Sequence, residues 1–437
     1  MYLPPNVLFC IEKLENAGYP TYAVGGCVRD ACLGLQPHDY DLCTAATPDI
    51  TASIFQDHTL VRAGEKHGTI GVVLDGQVIE ITTFRTEGDY SDSRHPQWVA
   101  FVPHIEQDLS RRDFTVNAMA FSPTRGFADP FGGQQDLQDR ILRAVGDPTL
   151  RFTEDALRIL RGVRFAVRYG LTPDSATQNA METLAHRMEH LAKERIFDEL
   201  CKLLPLLSAE DLCRFAPIFC AAIGDLAPMV GFQQHTPHHA YDVYTHTAHV
   251  VDGIRPDLTL RWTALLHDVG KVPTFTLDEN GRGHFLGHAK VSAQMANQIL
   301  LDLKAPTQLR EDVVFLIEKH MTPFVADKKL LRRRLSQYGP RRLDMELQLQ
   351  MADFGAKGVT GDPEDFAAIQ QILQEILAEN ACLSIKDLSV NGHVLMALGY
   401  SGPAIGKALQ FLLDQVLDDR LPNEKEPLLA ALSHANL

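Results

Sequence analysis

The chain has 437 residues, 45% of them hydrophobic and 22% charged, enough for two to four domains with separate cores. A formal charge of −15 excludes a protein that coats nucleic acid non-specifically, though not one with a local basic cleft. Eight cysteines without a C-x-x-C pair, no basic leader and no unbroken apolar span predict a reduced cytoplasmic protein with no membrane segment.

The first 145 residues read as short β-rich runs (68–74, 78–84, 99–102 and 118–121) separated by turns. Near the start, the apolar run Tyr22-Ala23-Val24 leads into Gly25-Gly26-Cys27-Val28-Arg29-Asp30, with a helix-like stretch over 28–33. A strand, a glycine turn and a helix start aim backbone N–H groups at a point where a phosphate can sit. Arg29 adds a charge suited to phosphate oxygens. Asp39-Tyr40-Asp41 follows. On a strand both carboxylates face one way, about 6–7 Å apart, and repel each other unless a cation lies between them. Mg²⁺ bridging carboxylates and a triphosphate is the natural candidate. Either feature alone is an ordinary turn or a surface acidic pair; together they favour nucleotidyl transfer.

In Val78-Ile79-Glu80-Ile81-Thr82, alternation turns Glu80 away from the two isoleucines. A solvent-facing edge explains this as well as a third carboxylate of a metal site does. Arg111-Arg112, ahead of Asp113-Phe114-Thr115-Val116-Asn117-Ala118, suits triphosphate oxygens or a solvated strand end. Asp129-Pro130-Phe131-Gly132-Gly133 reads as a structural turn.

From Asp147-Pro148 onward the pattern is helical, notably over 154–169, 176–192 and 194–204. Glu154-Asp155-Ala156-Leu157-Arg158 reads as helix, on which Asp155 and Arg158, three apart, meet on one face as a plain ion pair or as a base reader. Cytosine and adenine offer an amino donor beside an unprotonated ring nitrogen. Guanine and uracil offer a carbonyl beside a protonated one. A carboxylate beside a guanidinium is an acceptor beside a donor, complementary to the first two bases. Arg161 and Arg164 continue the series toward base or phosphate.

These motifs, with Lys193-Glu194-Arg195-Ile196, stand in the order and spacing of the class II CCA-adding enzymes, and the chain resembles that family over roughly residues 20–205. They are tRNA nucleotidyltransferases of the DNA polymerase β superfamily. The resemblance implies an α+β architecture: a polymerase β-like nucleotidyltransferase head with a small sheet, then an all-α neck and body and a helical tail gripping the tRNA acceptor end. It implies Mg²⁺ on Asp39 and Asp41, which Glu80 would assist on the strand reading above, and nucleotide held by Gly26, Arg29 and Arg112. Asp155 and Arg158 would read the base of CTP or ATP, supported by Arg161 and Arg164. Residues 86–98 correspond to the flexible element linked in the family to the change from CTP to ATP. Bacterial poly(A) polymerases look similar but usually carry a Gly-Arg-Arg-Phe-like segment, where this chain reads Leu60-Val61-Arg62-Ala63-Gly64-Glu65-Lys66-His67.

A His- and Pro-rich stretch, 233–239, introduces a third region. His246 lies on a helical pattern, and Leu265-Leu266-His267-Asp268-Val269-Gly270-Lys271 places His-Asp at a helix end, where both can bind one cation. His288, His320 and Asp353 would add ligands. The ordered set resembles the HD phosphohydrolases. That implies a divalent metal on His246, His267, Asp268 and Asp353, a second metal or a phosphate at His288 and His320, and hydrolysis of a cyclic or RNA-end phosphate; a structural domain that merely keeps its ligands competes. His235, His238, His239 and His249 read as loop and surface residues. Lys328-Lys329 and Arg332-Arg333-Arg334 suit RNA phosphates or a solvated helix face, and 398–407 resembles a tail segment of bacterial CCA-adding enzymes.

The expected organisation is a catalytic head (1–145), helical neck and body (146–235), HD domain (236–360) and helical tail (361–437). The expected activity is CCA addition to tRNA from CTP and ATP without a template. The alternatives are CC-only or A-only addition, and an HD phosphohydrolase whose head only binds nucleotides.

Overall fold

The computed structural model describes residues 1–88, 99–237, 239–358, 366–379 and 381–433. The chain divides into two compact units, one formed mainly by Met1–Leu207 and Asp211–Ala227, the other by Pro228–Leu301 and Ala305–Leu437. Most of residues 86–98, expected to be a functional loop, lie outside the described set, as does His238.

The first unit opens with α1 (Pro5–Asn16), started by Pro5 in its first turn and burying Val7, Cys10, Ile11 and Leu14 at helical spacing. Strand β1 (Thr21–Val24) then turns at Gly25 into α2 (Gly26–Cys32). Gly25 has φ +70, the left-handed region that favours glycine, and the end of the Arg112 side chain packs close over it. Next come β2 (Asp41–Thr44), α3 (Pro48–Ile54), β3 (Leu60–Val61), β4 (Thr69–Leu74) and β5 (Gln77–Thr83). A separate ribbon pairs β6 (Arg85–Glu87) with β7 (Val99–Phe101). After α4 (Ile105–Ser110), β8 (Ala120–Ser122) and β9 (Gly126–Ala128) complete a seven-stranded sheet in the order β3-β4-β5-β2-β1-β8-β9. Within it β2 and β5 run parallel, Leu42 opposite Ile81. The 99–102 run is thus strand, but in the ribbon and not in the main sheet. Helices follow: α5 (Gly133–Gln138), α6 (Pro148–Glu154), α7 (Leu157–Tyr169), α8 (Ser175–Leu184), α9 (Lys193–Leu203), α10 (Ala209–Arg214) and α11 (Ala216–Ala222). A small-sheet head followed by helices is the expected class.

The second unit is almost wholly helical. Asp242 caps α12 (Val243–Gly253) and Asp257 caps α13 (Leu258–Leu266), each accepting from backbone N–H groups of the first turn. All but the first residue of α13 are buried, which is why it reads as nearly continuous apolar sequence. Then come α14 (His288–Asp302), α15 (Thr307–Lys319) and α16 (Lys328–Gly355), the last bent at Gly339, whose φ of +75 precedes Pro340. Helices α17 (Phe366–Ala378), α18 (Gly392–Ala397), α19 (Pro403–Leu417) and α20 (Lys425–Ser433) finish the chain, the last three around Leu395, Leu412 and Leu428. The basic run on α16 is partly exposed and ion-paired within the protein. Lys328 pairs with Glu379, Arg333 with Asp418, and Arg332 with Asp419. No helix among the described residues is long and apolar enough to cross a membrane.

Candidate active site

Three carboxylates line one cavity at the start of β2, without their oxygens coming within 4.8 Å of one another as a set. The parallel register carries Asp41 alongside Glu80 of β5, and Asp39 stands two residues before it. The strand begins at Asp41, so Asp39 and Tyr40 belong to the preceding loop and not, as expected, to the strand itself. The trio lines a cavity of about 650 Å³ with His38 and Asn6. Burial and then Glu80 push the Asp41 carboxyl above its usual range, with Arg112 opposing and Asp39 adding to the push. An aspartate that shares its cavity with two further carboxylates fits a divalent cation.

The glycine turn stands beside these groups, and Arg112 reaches it from the chain after α4. Arg112 Nη2 donates to Asp108 at 3.1 Å, and Arg111 donates to the same carboxylate at 2.8 Å. Burial works against the Asp108 charge, but the two arginines outweigh it and hold the carboxyl below its usual range. Arg112 Nε is buried and without a partner, a donor left for an incoming acceptor. Arg29 behaves differently from expectation. Its guanidinium bonds Asp30, Asn117 and the Tyr169 hydroxyl and lies 4.2 Å from the Tyr169 ring centroid. Most of its donors are spent tying α2 to α7, so Arg29 shapes the turn more than it offers itself to phosphate.

The expected Asp155–Arg158 side-chain contact is absent. Asp155 has φ −144 and ψ 103 and ends α6, so the helix breaks at 155–156 and Asp155 and Arg158 do not share one helix. Asp155 Oδ2 accepts from Arg195 at 2.7 Å and Oδ1 from the Leu157 N–H at 3.0 Å. Arg158 donates instead to Glu154 at 2.7 Å and to the carbonyls of Arg151 and Arg111. Arg161 grips Asp113 at 2.7 Å, and Arg164 pairs with Glu199. Burial would raise Asp113, but Arg161 and Asn117 bring it down to about 2.

The second unit holds the other predicted cluster. His246 comes from α12, His267 and Asp268 follow α13, His288 opens α14, His320 follows α15 and Asp353 lies on α16. Ligand atoms of His246, His267 and Asp268 fall within 4.8 Å of one another, as do those of Asp268, His288 and His320. Asp353 Oδ1 is 2.9 Å from His246 Nε2. His267 Nε2 and both Asp268 oxygens are sealed from solvent without a well-directed hydrogen bond, although Lys271 Nζ lies 2.8 Å from Asp268. Two histidine pairs flanking one buried carboxylate suit divalent cations. His239, expected to be a surface residue, lines the adjoining cavity of about 430 Å³, its ring 4.9 Å from that of His246. Burial, Lys271 and His246 lower it to about 3.

A family model described as "Poly A polymerase head domain" matches residues 21–143, one for a "Probable RNA and SrmB- binding site of polymerase A" matches 170–210, and a putative tRNA nucleotidyltransferase domain 2 matches 275–432. The CCA-adding enzyme of Levilactobacillus brevis is 35% identical over 429 residues, covering 97% of this chain and 96% of its own. The chain belongs to the CCA-adding enzymes. One from Streptococcus pneumoniae is likewise 35% identical over 437 residues, covering 97% of this chain and 95% of its own. The crystal structure of the Bacillus stearothermophilus CCA-adding enzyme in complex with CTP superposes with a TM-score of 0.71 at 26% identity, over 99% of this chain and 98% of that one.

As a CCA-adding enzyme the chain is a nucleotidyltransferase, and several residues that arrange its head escape the sequence. Asp108 sits three and four positions before the arginines it holds, a helical charge spacing open to reading. Glu154, next to Asp155, is the partner of Arg158 at i, i+4. Asn117 and Tyr169, by contrast, reach Arg29 across 88 and 140 residues, beyond any local pattern.

Proposed function

We propose that this enzyme adds CMP, CMP and AMP in turn to the 3′ end of tRNA, taking CTP and ATP and using no nucleic-acid template. The observation that carries the reading is the Asp39, Asp41 and Glu80 set beside a glycine turn and the buried, unpaired Nε of Arg112. The tRNA 3′ oxygen attacks the α-phosphorus, the bond to pyrophosphate breaks, and the hydroxyl proton is lost. Asp39, Asp41 and Glu80 would hold Mg²⁺, which when bound acidifies the hydroxyl and neutralises the leaving group. Arg112 and the Gly26 N–H orient the triphosphate. Asp155 accepts from the exocyclic amino group of cytosine or adenine while Arg158 donates to the ring nitrogen; guanine and uracil invert both groups. Arg161 and Arg164 support that surface. The proposed boundaries are head 1–145, neck and body 146–235, metal-binding domain 236–360 and tail 361–437, and the setting is the cytoplasm.

The test supplies Mg²⁺ and one labelled nucleotide at a time to tRNA transcripts ending before CCA, after C and after CC. CMP on the first two and a single AMP on the third is the expected result. AMP alone, CMP alone, or a long A ladder would instead assign A-adding, CC-adding or poly(A) activity.

A second reading rests on the Asp268 cluster. His246, His267, Asp268 and Asp353 would hold a divalent cation, with His288 and His320 serving a second one or a phosphate. Arg282 and Lys357 stand in the same cavity wall and suit an anionic phosphate ester.

A further inference from the structure

The cavity of about 650 Å³ bordered by Asp39, Asp41 and Glu80 has a second wall without an assigned role. Asn6 from the start of α1, Gln36 and Tyr40 from the loop ahead of β2, and Gln77 and Val78 from β5 contribute to it. Neither Arg112 nor the Gly25–Gly26 turn takes part. The hollow therefore reaches the carboxylates by a route other than the one given to the triphosphate.

The direction of attack limits what enters there. In an in-line displacement the attacking oxygen and the leaving pyrophosphate stand on opposite sides of the α-phosphorus. With Arg112 and the Gly26 N–H at the pyrophosphate end, the 3′ oxygen has to approach from elsewhere, and this hollow borders all three carboxylates. Its volume is that of a small-ligand pocket. Charge narrows the guest further. The lining holds no lysine or arginine, and its carboxylates repel phosphate. A second triphosphate is poorly matched, whereas the uncharged sugar and base of a terminal nucleoside are not.

The remaining side chains suit such a guest without reading its sequence. Asparagine and glutamine amides both donate and accept, as ribose hydroxyls do. The Tyr40 ring offers a face on which any base can stack. Indifference is what successive addition needs. The residue receiving the first CMP comes with the tRNA, while the next two additions meet cytidines that the enzyme has just placed.

We propose that this cavity seats the 3′-terminal nucleoside of the tRNA, with Tyr40 against its base and the Asn6 and Gln77 amides at its ribose. The inference rests on the reading of Asp39, Asp41 and Glu80 as the metal-holding set of CMP and AMP addition.

The experiment uses full-length protein with Mg²⁺ and measures KM for tRNA and for CTP separately, on transcripts lacking CCA that end in each of the four bases. Tyr40→Leu is expected to raise KM for tRNA at least fivefold on all four, with KM for CTP within twofold of wild type. Tyr40→Phe, which keeps the ring, is expected to stay within twofold for both, and Asn6→Ala combined with Gln77→Ala to behave like the Leu variant. A KM for tRNA that is unchanged in Tyr40→Leu, that rises for one terminal base only, or that rises in step with the KM for CTP overturns the proposal. A transcript whose last residue is 4-thiouridine locates the site in the wild-type protein, whether or not the variants melt cooperatively. Irradiation is expected to crosslink it to peptides carrying Asn6, Tyr40 or Gln77, and crosslinks confined to other peptides overturn the proposal. Asp41→Asn, run in parallel, separates the two levels. Incorporation that survives it sinks the reading of the carboxylate set. Incorporation lost there, with the KM for tRNA intact in Tyr40→Leu, sinks only the present inference.

Discussion

Asp108 meets Arg112 at 3.1 Å and Arg111 at 2.8 Å while its own side chain is wholly buried. The carboxylate thus sets where Arg112 stands against the glycine turn. Asp108→Asn keeps the shape but leaves two arginines facing a neutral amide. It should destabilise the protein by on the order of 3 kcal/mol, the cost of breaking a buried pair, and raise the KM for CTP and ATP together. Denaturant unfolding and steady-state kinetics check both, and unchanged KM values would detach Arg112 from the triphosphate.

Burial first, and then the Glu80 carboxylate, raise Asp41 above its usual range. A group whose folded pKa is raised destabilises the fold once it is ionised, that is, above its usual range. Asp41→Asn should therefore melt no lower than wild type in EDTA at neutral pH, while losing at least a thousandfold in nucleotide incorporation. Its melting temperature should also lose the rise that Mg²⁺ gives the wild-type protein. Thermal scans with and without Mg²⁺ read this directly.

For the Asp268 cluster, Asp268→Asn should abolish a calorimetric binding site for Mn²⁺ and any hydrolysis of 2′,3′-cyclic AMP. Addition of CMP and AMP to tRNA should stay within threefold of wild type. Hydrolysis that persists unchanged in the variant would reject the phosphohydrolase reading.

Glu346 on α16 is fully buried, and neither carboxylate oxygen has a hydrogen-bond partner. Its facing charges are Arg334, 3.9 Å away, and Lys319. Burial prevails over both and raises it to about 7 from 4.5. The folded state therefore holds its proton longer than the unfolded chain, and stability falls as pH rises from about 4.5 through about 7, by about 3 kcal/mol in all. Glu346→Gln should flatten that fall: near wild type at pH 5, more stable at pH 8. Equal pH profiles for the two proteins would contradict the assignment.

Local pattern carried much of the head. The alternation around Glu80 and the glycine run after Val24 placed β5 and the β1–α2 turn, because both depend on neighbours in sequence. The Asp155–Arg158 contact was misjudged because helical spacing assumes helical φ and ψ, and Asp155 has neither. The signal was present: an aspartate just ahead of an apolar helical run, accepting from the N–H two residues on, is capping chemistry. Arg29 could not be resolved in the same way. Its position after a glycine turn suits phosphate, and only the distant Asn117 and Tyr169 claim it. His239 likewise looks like a loop residue until the loop is folded against His246.

The neutralised basic run on α16 bears on how ionic strength should act on this protein. Lys328, Arg332 and Arg333 already carry protein carboxylates as counter-charges. A phosphate arriving there would displace an aspartate or glutamate and not a dissolved ion, so little mixing entropy would be gained. This stretch should then add almost nothing to the slope of log affinity for RNA against log salt, and neutralising Asp418 should make that slope steeper.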